Sequence, residues 1–204
     1  MSARSRKGIR RLISLKGQDA LAFGITKGTV IGPMNDLVLA VTTRECISLR
    51  GFTPRIELGM LESLQEETWF TQPALIRNDP LAAEVRLALL YQHADHVLID
   101  EQGRLAADQP LFPDTFAAGP GLPGLKQYVQ RLALTRLGHP CGCELAGYAF
   151  HPIDQPHMFY LVYRCRVGHS TAVPAASGSW VPACALESLI RVPHERWFIP
   201  VVAK

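Results

Sequence analysis

One amphipathic run, Leu125 to Leu137, stands between two sets of short apolar runs, and this limits the folds open to the chain more than any other feature. Leu125, Val129 and Leu132 recur at three- and four-residue spacing, so a helix places them on one face. Gly138 and Pro140 supply its stop. Upstream, Val85–Tyr91 and His96–Ile99 are short and apolar, separated and followed by the turn-forming "HAD" and "DEQG". "DQPLFPDTFAAGPGLPG" then reads as a Gly/Pro loop feeding the helix. Downstream, "ELAGYAF" and "HMFYLVYRCRV" read as strands flanking the turn "HPIDQP". "VPAASGSWVP" reads as a loop, "ACALESLIR" as a short helix and Trp197–Val202 as a final extended piece. A helix with one apolar stripe must bury it against something, and strand pairs on either side of it in sequence provide a sheet. The expected class is α/β, a sandwich with a mixed sheet.

Residues 1–80 read as a basic arm followed by a β/α extension, and 81–204 as the main domain. "DLVLAVTT", Asp36 to Thr43, predicts a strand. Thr53 can cap and Pro54 can open a helix that carries Ile56, Met60 and Leu64 on one face. "QPALIRNDP" predicts a short extended piece ending in a turn. Arg4, Arg6, Lys7, Arg10, Arg11 and Lys16 all precede the first acid, Asp19. Such an arm could touch the phosphates of a nucleic acid, or simply be a solvated terminus.

The chain has 204 residues, 48% hydrophobic and 19% charged, values of a globular protein with room for a sizeable core. The net charge of +3 is too small to imply nucleic acid by itself. No apolar run of about 18 residues exists, and the start lacks a secretory pattern, so no membrane association is expected. Five cysteines, an odd number, fit reduced thiols and a cytoplasmic setting.

The element order, the "HVLIDEQGRL" hairpin, the helix ending at Gly138 and the Trp-containing "GSWVPACALESL" resemble the Nudix superfamily of nucleoside-diphosphate-linked hydrolases. "ISLRGFTP" through "ALIRNDPLAAEVRLALLY" is similar to a bacterial phosphoesterase-like subgroup with an N-terminal extension; phage is the other setting the resemblance allows. It implies a Nudix-like α/β/α sandwich over residues 85–200. The family's box runs Gly, five residues, Glu, seven residues, then Arg-Glu-U-x-Glu-Glu-x-Gly-U, where U is bulky and apolar. Anchored on Gly138, the box Arg falls on Arg131. Leu132 then stands at the first Glu, Thr135 and Arg136 at the paired Glu positions, Pro123 at the upstream Glu and Ala117 at the leading Gly. "AAGPGLPGLKQYVQ" holds no acid in any register. The family's glutamates give Mg²⁺ or Mn²⁺ its oxygen ligands, and the metal polarises a diphosphate. With a guanidinium in their place, a divalent ion is electrostatically disfavoured. The expectation is a degenerate box, no catalytic residue and no cofactor.

Other constellations compete. Arg131 and Arg136, with Trp180, are the candidates for a cleft that binds a nucleotide or another phosphorylated ligand without metal; a protein-interaction role is the other non-catalytic possibility. A divergent hydrolase could instead place Mg²⁺ or Mn²⁺ on relocated acids, Asp114 and Glu144. His139, Cys141, Cys143, His151, His157, Cys165 and His169 are dense in soft-metal donors. An extended "ELAGYAF" would set their two halves about 20 Å apart, so Cys141 and Cys143 read as small residues at a strand entry. Cys165 reads as a buried, inert strand thiol. Phe159 and Tyr163 should share one strand face and Tyr160 the other. No nucleophile elbow and no P-loop is present.

Overall fold

A computed structural model describes residues 37–46, 51–54, 68–116, 121–151, 157–168 and 178–203. The basic arm and most of the helix expected after Thr53 lie outside these residues. The strands are β1 (Val38–Thr42), β2 (Gly51–Thr53), β3 (Thr68–Thr71), β4 (Ala82–His93), β5 (His96–Ile99), β6 (Ala107–Pro110), β7 (Cys141–His151), β8 (His157–Val167) and β9 (Ser179–Pro182). The helices are α1 (Thr43–Cys46), α2 (Pro73–Arg77), α3 (Gly121–Leu137), α4 (Leu186–Leu189) and α5 (Ile199–Val202). The strands form one nine-stranded sheet whose main order is β2-β7-β8-β4-β1-β3.

Its spine is the parallel pair β4 and β8, in register from Ala83↔His157 to His93↔Val167. Every other pairing in the sheet is antiparallel, so the sheet is mixed, as the element order predicts. Alternation along the spine sorts side chains between two cores. Val85, Leu87, Leu89 and Tyr91 of β4 and Phe159, Leu161, Tyr163 and Cys165 of β8 face Leu125, Val129, Ala133 and Leu137 of α3. Ala88, Leu90, Tyr160 and Val162 face the C-terminal segment through Leu186, Ile190, Phe198, Val201 and Val202. The result is an α/β/α sandwich. The expected division of Phe159 and Tyr163 from Tyr160 is present. The helix stripe is rotated slightly from the expected one: Ala133 and Leu137 complete it, and Leu132 packs at its margin.

Several short elements differ from expectation. The "QPALIRNDP" segment contains a helix, α2, because Pro73 presets its first turn and the Asn78 side-chain amide donates to the Ala74 carbonyl at 2.9 Å. Thr53, expected to cap a helix, closes β2, which pairs with β7 from Gly51↔Phe150 to Thr53↔Tyr148. Where the Gly/Pro loop was expected to begin, Ala107–Pro110 pairs with Arg86–Leu89. Ser179–Pro182, expected as loop, pairs with β5 instead. Trp197–Val202 is not extended: a 3₁₀ turn, Pro193–Phe198, runs into α5 and buries Phe198, Val201 and Val202 on the sheet. Pro193 and Pro200 each suit a first helical turn. No helix among the described residues is long and apolar enough to cross a membrane.

Strand β7 carries one extra residue. Its register on β8 passes from Leu145↔Tyr163 to Gly147↔Val162, leaving Ala146 as a bulge. Cys141, Cys143 and Leu145 therefore share the α3-side core with Tyr148 and Phe150. At the bulge, a Cβ on Gly147 would lie 2.3 Å from the Thr53 carbonyl oxygen and 2.7 Å from the Phe52 ring. Gly147→Ala is expected to push β2 off the sheet edge and destabilise the protein by about 1–3 kcal/mol, read by chemical denaturation.

Glu195 fastens the C-terminal segment to the loop after β5. It is buried, and its Oε2 accepts from the Leu105 and Ala106 amides. Burial pushes its carboxyl up to about 7, against the opposing effect of those two amides. Because the folded value lies above the unfolded one, this stability contribution is fully present below about pH 4.5 and is lost as pH rises through about 7. Melting temperature is expected to fall by a few degrees across that window, and Glu195→Gln should flatten the decline.

Candidate functional site

The C-terminal half of α3 is held by Val129, Ala133 and Leu137, all buried on the sheet. Gly138, at φ +70°, closes it, its amide donating to the Leu134 carbonyl at 2.8 Å. The phase of the helix then fixes the candidates. Thr135 and Arg131 are exposed, whereas Leu132 and Arg136 are half-buried. The Arg136 guanidinium lies 5.7 Å from the centre of the Tyr91 ring on β4. Arg131 lies 5.7 Å from the ring of Tyr128, one turn back on its own helix. Five residues separate the two arginines, about 140° around the helix, so they do not share a site. Trp180 packs on the α3-side core and meets the His93 ring edge-on at 5.9 Å. Tyr91 and His93 are successive same-face residues of β4, so Arg136 and Trp180 stand over adjacent places on the sheet.

Beside Arg136 a cavity of about 220 Å³ opens where β4 changes partners. Arg86–Leu89 pair with β6 and Gln92–His93 with β5, leaving Leu90 and Tyr91 between the two. Arg86, Arg104, Arg136, Asp100 and Asp108 line it, with Tyr91 and Leu98 among its walls. Leu105 and Ala106, whose amides Glu195 receives, also line it. Arg86 donates to Asp108 at 2.6 Å and to buried Glu84 at 2.5 Å. Burial opposes the Arg86 charge, but the Asp108 hydrogen bond and the two acids outweigh it and hold the guanidinium protonated. Arg104 donates to Asp100 at 2.8 Å. Burial pushes the Asp100 carboxyl up, but the Arg104 amide and guanidinium and the Gln102 amide hold it below the usual carboxylate range. Three arginines line the cavity with two aspartates, and buried Glu84 behind Arg86 is a third acid, so the charges balance within a small, partly desolvated space.

The relocated acids do not meet. Asp114 is exposed in the 3₁₀ turn Pro113–Phe116, which packs against α3. Glu144 is exposed on β7, on the opposite side of the sheet, where it lines a larger cavity of about 580 Å³ with Arg164, Trp197 and Val201. Its Oε1 accepts from Arg164 Nε at 2.7 Å and Nη2 at 2.5 Å. Arg164 also donates to the Val201 carbonyl at 3.0 Å, tying the acid into the packing of the C-terminal segment.

The thiols, by contrast, are closer than the sequence suggests. Cys143 stands directly across from Cys165 in the β7–β8 register, and Cys141 lies two residues away on the same face. Their three sulfurs all lie within 4.8 Å of one another. The expected 20 Å separation follows the length of one strand and misses that the hairpin folds its far end back. The signal was the C-x-C spacing itself, which in any strand puts both thiols on one face. Among the described residues, this is the only group of three His, Cys, Asp or Glu near enough to hold a metal ion.

No family model and no curated protein sequence matches this chain. Among solved structures it is similar to Tm1382, described as "a putative Nudix hydrolase". The TM-score is 0.63 at 14% sequence identity, over 82% of this chain and 98% of that one. At that identity the likeness is one of fold, and the chain has a Nudix-like fold.

Proposed function

We propose that this protein binds a small phosphorylated ligand, a nucleotide or its phosphate-bearing part, without metal and without hydrolysing it. The observation that carries this reading is the placement of Arg136. In the resemblance to the Nudix box it occupies a metal-gripping glutamate position, and its guanidinium lines the cavity shared with Arg86 and Arg104. A fixed cation there repels a divalent metal and attracts the anion that the metal would otherwise hold. The guanidinium fork also matches phosphate oxygens two at a time. The cavity is smaller than a typical drug-sized pocket, roughly 300 Å³ and up, so it suits a phosphate or sugar phosphate with any base lying outside. Trp180, half-buried on the neighbouring stretch of sheet, offers a flat wall for such a base.

A hydrolase reading comes second, favoured by Asp100 and Asp108 in the same cavity. Both are ion-paired to arginines, which weakens them as metal ligands. Thermal-shift measurements with pyrophosphate and nucleoside diphosphates, in EDTA and then in Mg²⁺ or Mn²⁺, separate the two. Metal-independent binding at a hundredfold excess over Kd should stabilise the protein by about 2.7 kcal/mol. Arg136→Ala should weaken binding by roughly tenfold or more, the scale of a lost charged hydrogen bond, whereas Arg131→Ala should retain it. A shift that needs the metal, with phosphate released, would replace this reading by the hydrolase.

A further inference from the structure

We propose that Cys141, Cys143 and Cys165 form a binding site for a thiophilic metal ion, zinc or monovalent copper, built into the β7–β8 pair. Two of the thiols come from a C-x-C on one strand and the third from the position directly across on the next. The Cys141 and Cys143 sulfurs are 3.5 Å apart, and all three lie within 4.8 Å of one another. An ion with metal–sulfur bonds of about 2.3 Å holds its sulfurs roughly 3.8–4.0 Å apart, so the thiols reach a shared ion with shifts of under about 1 Å. Thiolate donors without carboxylates select soft ions over magnesium, calcium or manganese.

The surroundings suit a structural centre. Cys143 and Cys165 are buried in the core beneath α3, while Cys141 is half-buried and gives an entering ion its path. Copper(I) is satisfied by three thiolates. Zinc would take a fourth ligand from solvent on the Cys141 side. The site also has a place in the architecture. Tyr91, Cys165 and Cys143 form one line across β4, β8 and β7. An ion there would brace the strands whose face carries the Tyr91 ring under Arg136. It is a separate site from the arginine-lined cavity, and its existence does not depend on what that cavity binds.

The test uses the full chain, purified under reducing conditions and loaded with zinc alone or with copper(I) alone. One equivalent of either ion should survive gel filtration, raise the melting temperature and protect Cys141 from alkylation. Cobalt(II) in place of zinc should give thiolate-to-metal charge-transfer absorption. Cys141→Ser, at the half-buried position, is the variant least disturbing to the core, and it should lower metal retention at least tenfold. Cys143→Ser and Cys165→Ser should abolish it, and the exposed Cys184→Ser should leave it intact. Circular dichroism of each apo variant reports folding separately from metal retention. Failure of the reduced, folded chain to retain either ion would overturn the proposal. So would retention that Cys141→Ser leaves unchanged, or cobalt spectra without thiolate charge transfer.

Discussion

The parallel pairing of β4 with β8 is the constraint on which the remaining structure rests. Parallel strands cannot be joined by a tight turn, so a long connection must cross from one to the other. Here that connection holds β5, β6, α3 and β7. Both strands alternate between two apolar faces, so both faces must be covered. The helix covers one. The C-terminal segment, a succession of short helical turns from Ala183 to Val202, covers the other. Each layer of the sandwich is thus a response to one buried strand pair.

The same constraint explains how the candidate cavity arises. A twelve-residue strand, β4, is longer than either of the short strands that pair with its free edge towards its end. Between β6 and β5 none of the described strands pairs with it on that side, and charged groups from the edge strand and loop gather around the opening. Ion pairs neutralise most of them. Arg136 arrives from a different layer, carried by a helix whose phase is set by Val129, Ala133 and Leu137. Its place over Tyr91 is fixed by core packing rather than by loop conformation.

Much of the fold was legible because it is written in periodicity. The helix announces itself through three- and four-residue spacing and the long strands through apolar runs bounded by turn residues, and their order implies the mixed sheet. Among the short elements, β1, β5 and α4 were legible, and those set by strand pairing or by the sheet surface were not. Ser179–Pro182 and Ala107–Pro110 are strands because neighbours pair with them, and Pro193–Val202 coils because prolines and the sheet surface favour it. The site was legible in chemistry and not in geometry. That α3 lacks acids is plain from its letters. That Arg131 and Arg136 diverge follows from helical phase, which the expectation of one cleft for both left out of account. The exclusion of a shared site for Asp114 and Glu144 needed the sheet between them, and the thiol cluster needed the hairpin. Contacts of that kind depend on which strands pair, and a single sequence does not state the pairing.

The extra residue at Ala146 has a wider consequence. In an unbroken strand, Cys141 and Cys143 on one face would commit Tyr148 and Phe150 to the reverse. A single inserted residue resets the phase, so that thiols at one end and aromatic rings at the other look the same way. Loss of that one residue by deletion would turn half the strand inside out, although every side chain needed for the core would still be present.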